Sequence, residues 1–174
     1  MKLSSGEVQT RRRIWMTTQK PKSCTNCPAY EWGIGFVKPE NVSQDTKFAL
    51  IGQGPGEMEA RFDRPFFPNA PSGRTLDRWL QGAGLRRSEA LISNIVWCWL
   101  PARKPNGVPQ GNRDPKPEET TYCYEHHLLP LLEDEGYTAD DSLIVAVGAP
   151  ATRALTKLEG PLDKHMGSLK KVKL

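Results

Sequence analysis

The four cysteines are the residues whose types and spacing most clearly suggest chemistry. Cys24 and Cys27 form a CxxC pair in SCTNCPAYEWG, residues 23–33, and the other two are Cys98 and Cys123. A redox CxxC of the thioredoxin type lies between a strand and a helix, and zinc ribbons use two such pairs, so neither pattern matches. Four thiolates from separate segments can instead hold an iron–sulfur cluster. The alternative is that Cys98 and Cys123 are buried apolar side chains.

A glycine-rich loop is the second candidate for chemistry. GQGPGE, residues 52–57, follows the apolar run KFALIG. A dinucleotide-binding fingerprint needs glycine where Glu57 stands, and no Gly-Lys-Ser/Thr follows to make a Walker loop. Gly54, Pro55 and Gly56 therefore indicate a rigid loop that another backbone or a ring can approach closely.

Length and composition limit the class of protein. A chain of 174 residues predicts one domain, which we assign to residues 23–174, after a flexible basic arm at residues 1–22. No apolar run reaches the ~20 residues of a membrane span, and the N-terminus lacks the apolar core of a secretory signal. We therefore expect a cytoplasmic protein with reduced thiols. The net charge of +4 is compatible with a nucleic-acid partner without demanding one.

Three apolar runs predict the strands of a buried sheet, at residues 47–52, 89–99 and 142–148. Helices are predicted between and after them: one capped by Ser72 with the stripe Leu76, Trp79, Leu80 and Ala83, one from Pro117, and one after Gly148. Alternating strands and helices predict an α/β fold, a three-layer αβα sandwich with a short central parallel sheet. Ligands bind at the carboxyl ends of such strands, so the long loops 52–73 and 97–117 should carry the site.

The order of motifs resembles one superfamily. The CxxC is followed by GQGPGE, DRPFFPNAPSGRTLDRWL, ISNIVWCWLP, NRDPKPEETTYC and IVAVGAPATRAL. This order is similar to that of the iron–sulfur, family-four type of uracil-DNA glycosylase, from about residue 24 to residue 168. The resemblance implies the fold of that superfamily and hydrolysis of the N-glycosidic bond of uracil in DNA, the first step of base excision repair. It also implies a [4Fe-4S] cluster on Cys24, Cys27, Cys98 and Cys123.

The resemblance also implies roles at the base pocket. Phe66 would stack on a flipped uracil, Asn94 would read the edge of the base, and Gly54–Gly56 would approach the base or sugar. Gln53 stands where the family has glutamate; its amide can orient water but cannot act as a general base. Glu57 is the nearest carboxylate that could replace it. The alternatives are that Phe66 belongs to the core and that Glu57 is a solvated loop residue.

Basic residues near the expected site predict the DNA contacts. Ligands of parallel sheets bind at the carboxyl edge, and we expect Arg86 and Arg87 to flank that edge or its approach. The NRDPK loop adds Arg113 and Lys116. The expected partner is uracil-containing DNA, single- or double-stranded, with a replication or repair protein as a further partner.

Two departures from the family pattern bear on activity. Met166 stands where the family has arginine, and a His-Pro-Ser segment expected after a further strand is absent from the sequence. The chain is thus interpreted as C-terminally truncated or as a shortened member, and uracil excision is expected to be weak or absent. The alternatives are a non-catalytic [4Fe-4S] DNA-binding module of a replication, phage or viral complex, and a zinc-stabilised domain.

Overall fold

Three apolar segments form the central sheet of the computed structural model, which describes residues 18–139, 142–158 and 160–171. The strands are β1 (Phe48–Gly52), β2 (Ala90–Asn94) and, later in the chain, β5 (Ile144–Ala146). They pair in parallel in the order β2-β1-β5. Every residue of β1 and β2 is buried, as a parallel sheet covered on both faces requires. The predicted parallel sheet is confirmed.

The helices cover both faces of this sheet. In chain order they are α1 (Glu57–Phe62), α2 (Pro71–Gly82), α3 (Pro117–Cys123), a π-helical turn (Tyr124–Leu128), α4 (Leu129–Asp134) and α5 (Ala149–Thr156). Short 3-10 turns occupy Lys22–Cys24, Arg87–Glu89 and Leu162–Lys164, and a small hairpin joins β3 (Ala102–Arg103) to β4 (Pro109–Gln110). The predicted long loops therefore contain α1 and this hairpin.

Two apolar clusters pack on the sheet, one on each face, and a smaller one joins Val37, Ala60 and Trp99. Alternate residues of β1 point to opposite faces, so that Ala49 and Ile51 join one cluster and Phe48 and Leu50 join the other. The first cluster includes Leu128, Leu132, Ala151 and Leu155 from the π turn, α4 and α5. The second includes Leu76 and Leu80 from α2. This arrangement is the three-layer sandwich that the sequence predicts.

The predicted second strand, residues 89–99, is wrong in its second half. β2 ends at Asn94, and the chain then bends so that the Trp97 indole Nε1 donates to the Asn94 carbonyl, 2.9 Å away. Trp99 pairs instead with Ile34 in an isolated antiparallel bridge. A continuous apolar run cannot distinguish a strand from a buried bend, because both bury every side chain.

Helix α2 differs from the prediction at its start and on one face. Ala70 is the residue before the helix and Pro71 is its first residue, so Ser72 lies inside the helix and does not cap it. Trp79, predicted to be buried, is 61% exposed. The predicted end is confirmed, because Gly84 follows the helix with a φ of +70° that favours glycine.

Most of the predicted basic arm, residues 1–17, lies outside the described residues. Lys20, assigned to the arm, is tied to the cysteine loop: its Nζ donates to the carbonyls of Tyr30 and Gly33, at 2.5 and 2.8 Å. Among the helices of the described ranges, none combines the length and the apolar character that crossing a membrane needs.

Candidate functional site

The four cysteines, which are far apart in sequence, line one cavity. Cys24 is the last residue of the first 3-10 turn, and Cys27 lies in the loop after it. Cys98 comes from the bend after β2, and Cys123 is the last residue of α3. All four are free thiols, with Cys24 and Cys123 buried and the other two partly buried. The remaining walls are mostly apolar or aromatic, including Phe36, Val96, Trp97 and Tyr122.

Close backbone packing holds the cysteine loop against the sheet. The Cys27 amide donates to the Cys24 carbonyl at 2.9 Å, which closes the CxxC turn. A side chain at Gly33 would overlap the Cys98 sulfur, so only glycine allows this segment to pass so near. The Tyr122 hydroxyl on α3 donates to the Ser23 carbonyl at 2.7 Å and fastens the loop to the helix.

His127 is a residue of the thiol cavity that sequence reasoning missed. Its Nε2 lies 3.2 Å from the Cys24 Sγ, and its ring stacks on Trp97 with 5.4 Å between ring centroids. His127 follows Cys123 by four residues on one helical face, which was the available signal. It lies in the π turn, where the Leu129 amide bonds five residues back to the Tyr124 carbonyl.

Burial keeps the thiols of Cys24, Cys98 and Cys123 in the neutral form. Burial raises the pKa of Cys24 to about 11 and that of Cys98 to about 12, and it also raises the pKa of Cys123. A bound cation would have to displace these protons. Within the described ranges, no group of three or more His, Cys, Asp or Glu side chains is arranged to hold a metal ion. A metal-binding role for the thiols therefore stays a proposal.

A second site lies at the carboxyl ends of β1 and β2. Gly52 and Asn94 end the two strands in register. A Cβ built on Gly52 would lie 2.5 Å from the Asn94 Oδ1 and 2.6 Å from the Phe66 Cζ. The amide and the aromatic ring thus meet over a glycine. The Asn94 side chain is only 4% exposed and makes no hydrogen bond within the described part of the chain.

Phe66 is held in place by strained backbone and a buried carboxylate. Its φ of +47° lies in the left-handed region, which costs a non-glycine residue roughly 1–3 kcal/mol. The Glu59 carboxylate, 6% exposed, accepts from the backbone amides of Gly56 and Phe66 and so links the glycine loop to the aromatic residue. Burial raises the pKa of Glu59, although these bonds oppose it. Phe66 also packs in the core beside Leu76, so the ring has both roles considered from sequence.

The NRDPK loop packs beside Gln53. The Gln53 Nε2 donates to the Asp114 Oδ1 at 2.9 Å. The two residues before Asp114 are anchored to other parts of the protein. The Trp99 Nε1 donates to the Asn112 Oδ1 at 2.8 Å, and Arg113 makes a two-bond ion pair with Glu119. Burial would raise the pKa of Glu119, but the Arg113 bonds lower it below the ordinary value.

The predicted basic residues do not form one surface. Arg86 and Arg87 precede the amino end of β2, so their expected position at the carboxyl edge is wrong. Arg87 is largely buried in ion pairs with Glu40 and Asp77, and Arg113 is occupied by Glu119. Lys116 is exposed just before α3. Their contacts with DNA stay predictions, with Lys116 the best placed.

Glu57, the carboxylate expected to replace a family glutamate, faces its own helix. Its Oε1 lies 2.8 Å from the Arg61 guanidinium, one turn along α1. The structure therefore brings together Gln53, Phe66 and Asn94 from the predicted site and adds Gly52 and Asp114. Gly54, Pro55 and Gly56 connect this group to α1, and Pro55 is buried.

Comparisons with known proteins agree on one family. The family model of the uracil DNA glycosylase superfamily matches residues 39–172. A type-4 uracil-DNA glycosylase of Thermotoga maritima is 34% identical over 157 residues, covering 85% of this chain and 73% of that protein. A type-4 enzyme of Pyrobaculum aerophilum is 30% identical, covering 86% and 67%. A third, of Archaeoglobus fulgidus, is 32% identical over 109 residues and is covered to 49% of its length.

Proposed function

Because this chain belongs to the uracil-DNA glycosylase superfamily, and within it to the type-4 group, we propose that it hydrolyses the bond between uracil and deoxyribose in DNA. One observation carries the proposal. The Asn94 side chain makes no hydrogen bond within the described part of the chain and meets the Phe66 ring over Gly52. Its donor and its acceptor are therefore available to a ligand that also stacks on a ring.

The residues divide the reaction between base and sugar. A uracil flipped out of the helix would stack on Phe66 and exchange hydrogen bonds with the Asn94 amide, which has both a donor and an acceptor. Glycosidic cleavage leaves positive charge on the sugar and negative charge on the departing base. Asn94 can stabilise the base as it leaves, since it can donate to a uracil oxygen. Gly54 and Gly56 keep the loop beside the sugar free of side chains.

We place a [4Fe-4S] cluster on Cys24, Cys27, Cys98 and Cys123. The support is a sulfur-only donor set from three segments lining one cavity. When bound, such a cluster supplies a cross-link between the cysteine loop, the end of β2 and α3. His127 would stand beside the Cys24 sulfur in this arrangement.

The cofactor proposal is tested by metal analysis. We expect protein purified without added metal to contain about four irons per chain and to absorb broadly near 400 nm. Cys98→Ala should lose the iron and lower the free energy of unfolding, because metal binding and folding are coupled. Ser23→Ala is the matched control, because it changes the residue next to Cys24 and leaves all four thiols in place. Stoichiometric zinc without iron would contradict the proposal and favour the zinc-stabilised domain.

The catalytic function is the better supported of the two DNA-related hypotheses. The three relatives described above are named as glycosylases, and the pocket residues Phe66 and Asn94 are present. A non-catalytic DNA-binding module would not need an amide with unused hydrogen bonds beside an aromatic ring. As a protein that acts on DNA, it would work in the cytoplasm where the DNA is. We propose no specific protein partner.

An excision assay tests the function. A uracil-containing oligonucleotide, single- or double-stranded, is incubated with excess protein and then treated with alkali to cleave abasic sites. We expect strand breaks at uracil and none in an otherwise identical thymine oligonucleotide. The same time courses measure how weak the excision is. Equal breakage of the two oligonucleotides would contradict the proposed function.

A further inference from the structure

Hydrolysis at the sugar needs a group that accepts a proton from water, and Gln53 cannot supply it. An amide is not basic at neutral pH, so Gln53 can hold a water molecule without deprotonating it. Gln53 directly follows Gly52, over which Phe66 and Asn94 meet. Its main-chain carbonyl accepts from the Val96 amide at 3.1 Å, which fixes the residue beside the pocket.

The carboxylates around this loop differ in what they already hold. Glu57 is paired with Arg61, and Glu119 is buried in its pair with Arg113. Glu59 accepts from two backbone amides and, at 3.4 Å, from the Ser72 hydroxyl. All three carboxylates already make ion pairs or hydrogen bonds within the protein, so they are poorer candidates for a general base.

Asp114 is different. Its side chain is exposed, and the contact recorded for it in the described part of the chain is the Gln53 amide, which donates to one of its two oxygens at 2.9 Å. The other oxygen is available to a water molecule. The loop around it is fixed by Trp99 to Asn112 and by Glu119 to Arg113. Its position is therefore set by contacts on neighbouring residues.

The geometry points to Asp114 as the general base of uracil excision, with Gln53 orienting the same water. This inference rests on the proposed function. The water oxygen forms a bond to C1′ of the deoxyribose as the C1′–N1 bond breaks, and the bonding pair leaves with uracil. The water gives one proton to the Asp114 carboxylate, and the uracil anion later takes a proton from solvent. Asp114 and Gln53 thus share work that one carboxylate could do alone.

The test moves the carboxylate across the hydrogen bond. Single-turnover excision is measured for the wild type, Asp114→Asn, the double variant Gln53→Glu/Asp114→Asn, and Asp45→Asn, an exposed aspartate remote from the site. We expect Asp114→Asn to be about 100-fold slower, within the range of general base catalysis, with affinity for uracil-containing DNA and circular dichroism unchanged. The double variant, which restores one carboxylate paired with one amide, should regain most of the rate. Asp45→Asn should match the wild type.

Three results would overturn the assignment while leaving the proposed function standing: Asp114→Asn as fast as the wild type, a loss of rate explained by an equal loss of DNA affinity, or a double variant as slow as Asp114→Asn. A wild type that breaks uracil and thymine oligonucleotides equally is a different failure. It would reject the proposed function itself, and the role of Asp114 with it.

Discussion

Among single residues, Asn94 is a polar residue in a largely buried position at the end of β2. Its side chain lies beside an aromatic ring and makes no hydrogen bond within the described chain, so its donor and acceptor are available to a ligand. Phe66 adds backbone strain at the same place. The unused hydrogen bonds of Asn94 and the strained backbone of Phe66 occur at one place, as is typical of a binding site.

Asn94→Ala should therefore separate activity from stability. Removing the amide takes away the group that holds the departing base, so we expect uracil excision to fall by about 100-fold or more. The free energy of unfolding should change little, because the amide has no protein partner to lose. Excision rates and denaturant unfolding are measured together. Asn106→Ala, an asparagine in the exposed hairpin turn, is the control.

The opposite result would be informative about Asn94. A variant that excises uracil at the wild-type rate would show that the base is read elsewhere. A variant that loses activity only because it unfolds would show that Asn94 is a structural residue.

Sequence reasoning identified the residues with strong local signals and missed those defined by distant contacts. The cysteines and Asn94 follow from a motif or a strand end. Asp114 contacts Gln53, about 60 positions away, and His127 contacts Cys24, about 100 positions away. The spacing of His127 four residues after Cys123 was a weak local signal, whereas nothing in the sequence near Asp114 indicates its contact with Gln53.

At the scale of elements, a carboxylate joins three segments on the amino side of the sheet. Glu40 bridges to Ile92 of β2 through the backbone, and its side chain accepts bonds from Arg64, after α1, and from Arg87, before β2. Burial would raise the pKa of Glu40, but the hydrogen bonds from Arg87 and Arg64 outweigh it and hold the pKa below the ordinary value. Arg87 has thus a structural role where sequence suggested a DNA contact.

The lowered pKa of Glu40 predicts a loss of stability in acid. A carboxyl group whose folded pKa is depressed stabilises the fold above its unfolded pKa, and this contribution disappears as pH falls through the folded value. Glu40→Gln should destabilise the protein by roughly 2 kcal/mol at neutral pH, because Arg87 loses its main partner in a largely buried site. The difference from the wild type should shrink as pH falls below the ordinary pKa of glutamate. Urea unfolding at several pH values measures both effects.

Glu125→Gln, an exposed carboxylate in the π turn, provides the comparison for this experiment. A Glu40→Gln variant with the same difference from the wild type at every pH would show that Glu40 does not titrate with folding.

Element boundaries show why strands were easier to predict than their ends. The buried runs at β1 and β2 are continuous, and both strands were predicted. The bend after Asn94 was missed, because Trp97 and Trp99 are as buried there as they would be in a strand. Helix α1 was missed because six residues between prolines and glycines give too short a period to recognise.

For the whole molecule, charge is the property that should govern the encounter with DNA. Lys116 is exposed and follows Asp114 by two residues, whereas Lys47 lies before the amino end of β1. Each phosphate contact releases counterions, so the logarithm of affinity falls with the logarithm of salt concentration.

Lys116→Ala should lower the salt slope of DNA binding by about 1, whatever the DNA sequence. Lys47→Ala, an equally charged substitution at the opposite edge, should leave the slope unchanged. Fluorescence anisotropy over a range of salt concentrations measures both slopes. Equal slopes for the wild type and Lys116→Ala would remove Lys116 from the DNA surface.

The fold class and the layer order could be predicted for the whole molecule, since periodicity alone requires a covered parallel sheet. The distribution of charge could not. Of the four basic residues predicted to contact DNA, Arg87 and Arg113 are also paired with largely buried carboxylates. Composition counts charges but does not reveal which of them are already paired.

Gly52 has a final consequence, for the variation that this protein can tolerate. The volume in which the amide of Asn94 and the ring of Phe66 meet exists because position 52 has no side chain. Even the methyl group of alanine would overlap the Asn94 amide and the Phe66 ring, although both side chains would still be present. A side chain at position 52 would take the space beside the Asn94 amide and the Phe66 ring. Natural variants should therefore keep glycine at this position even where neighbouring residues differ.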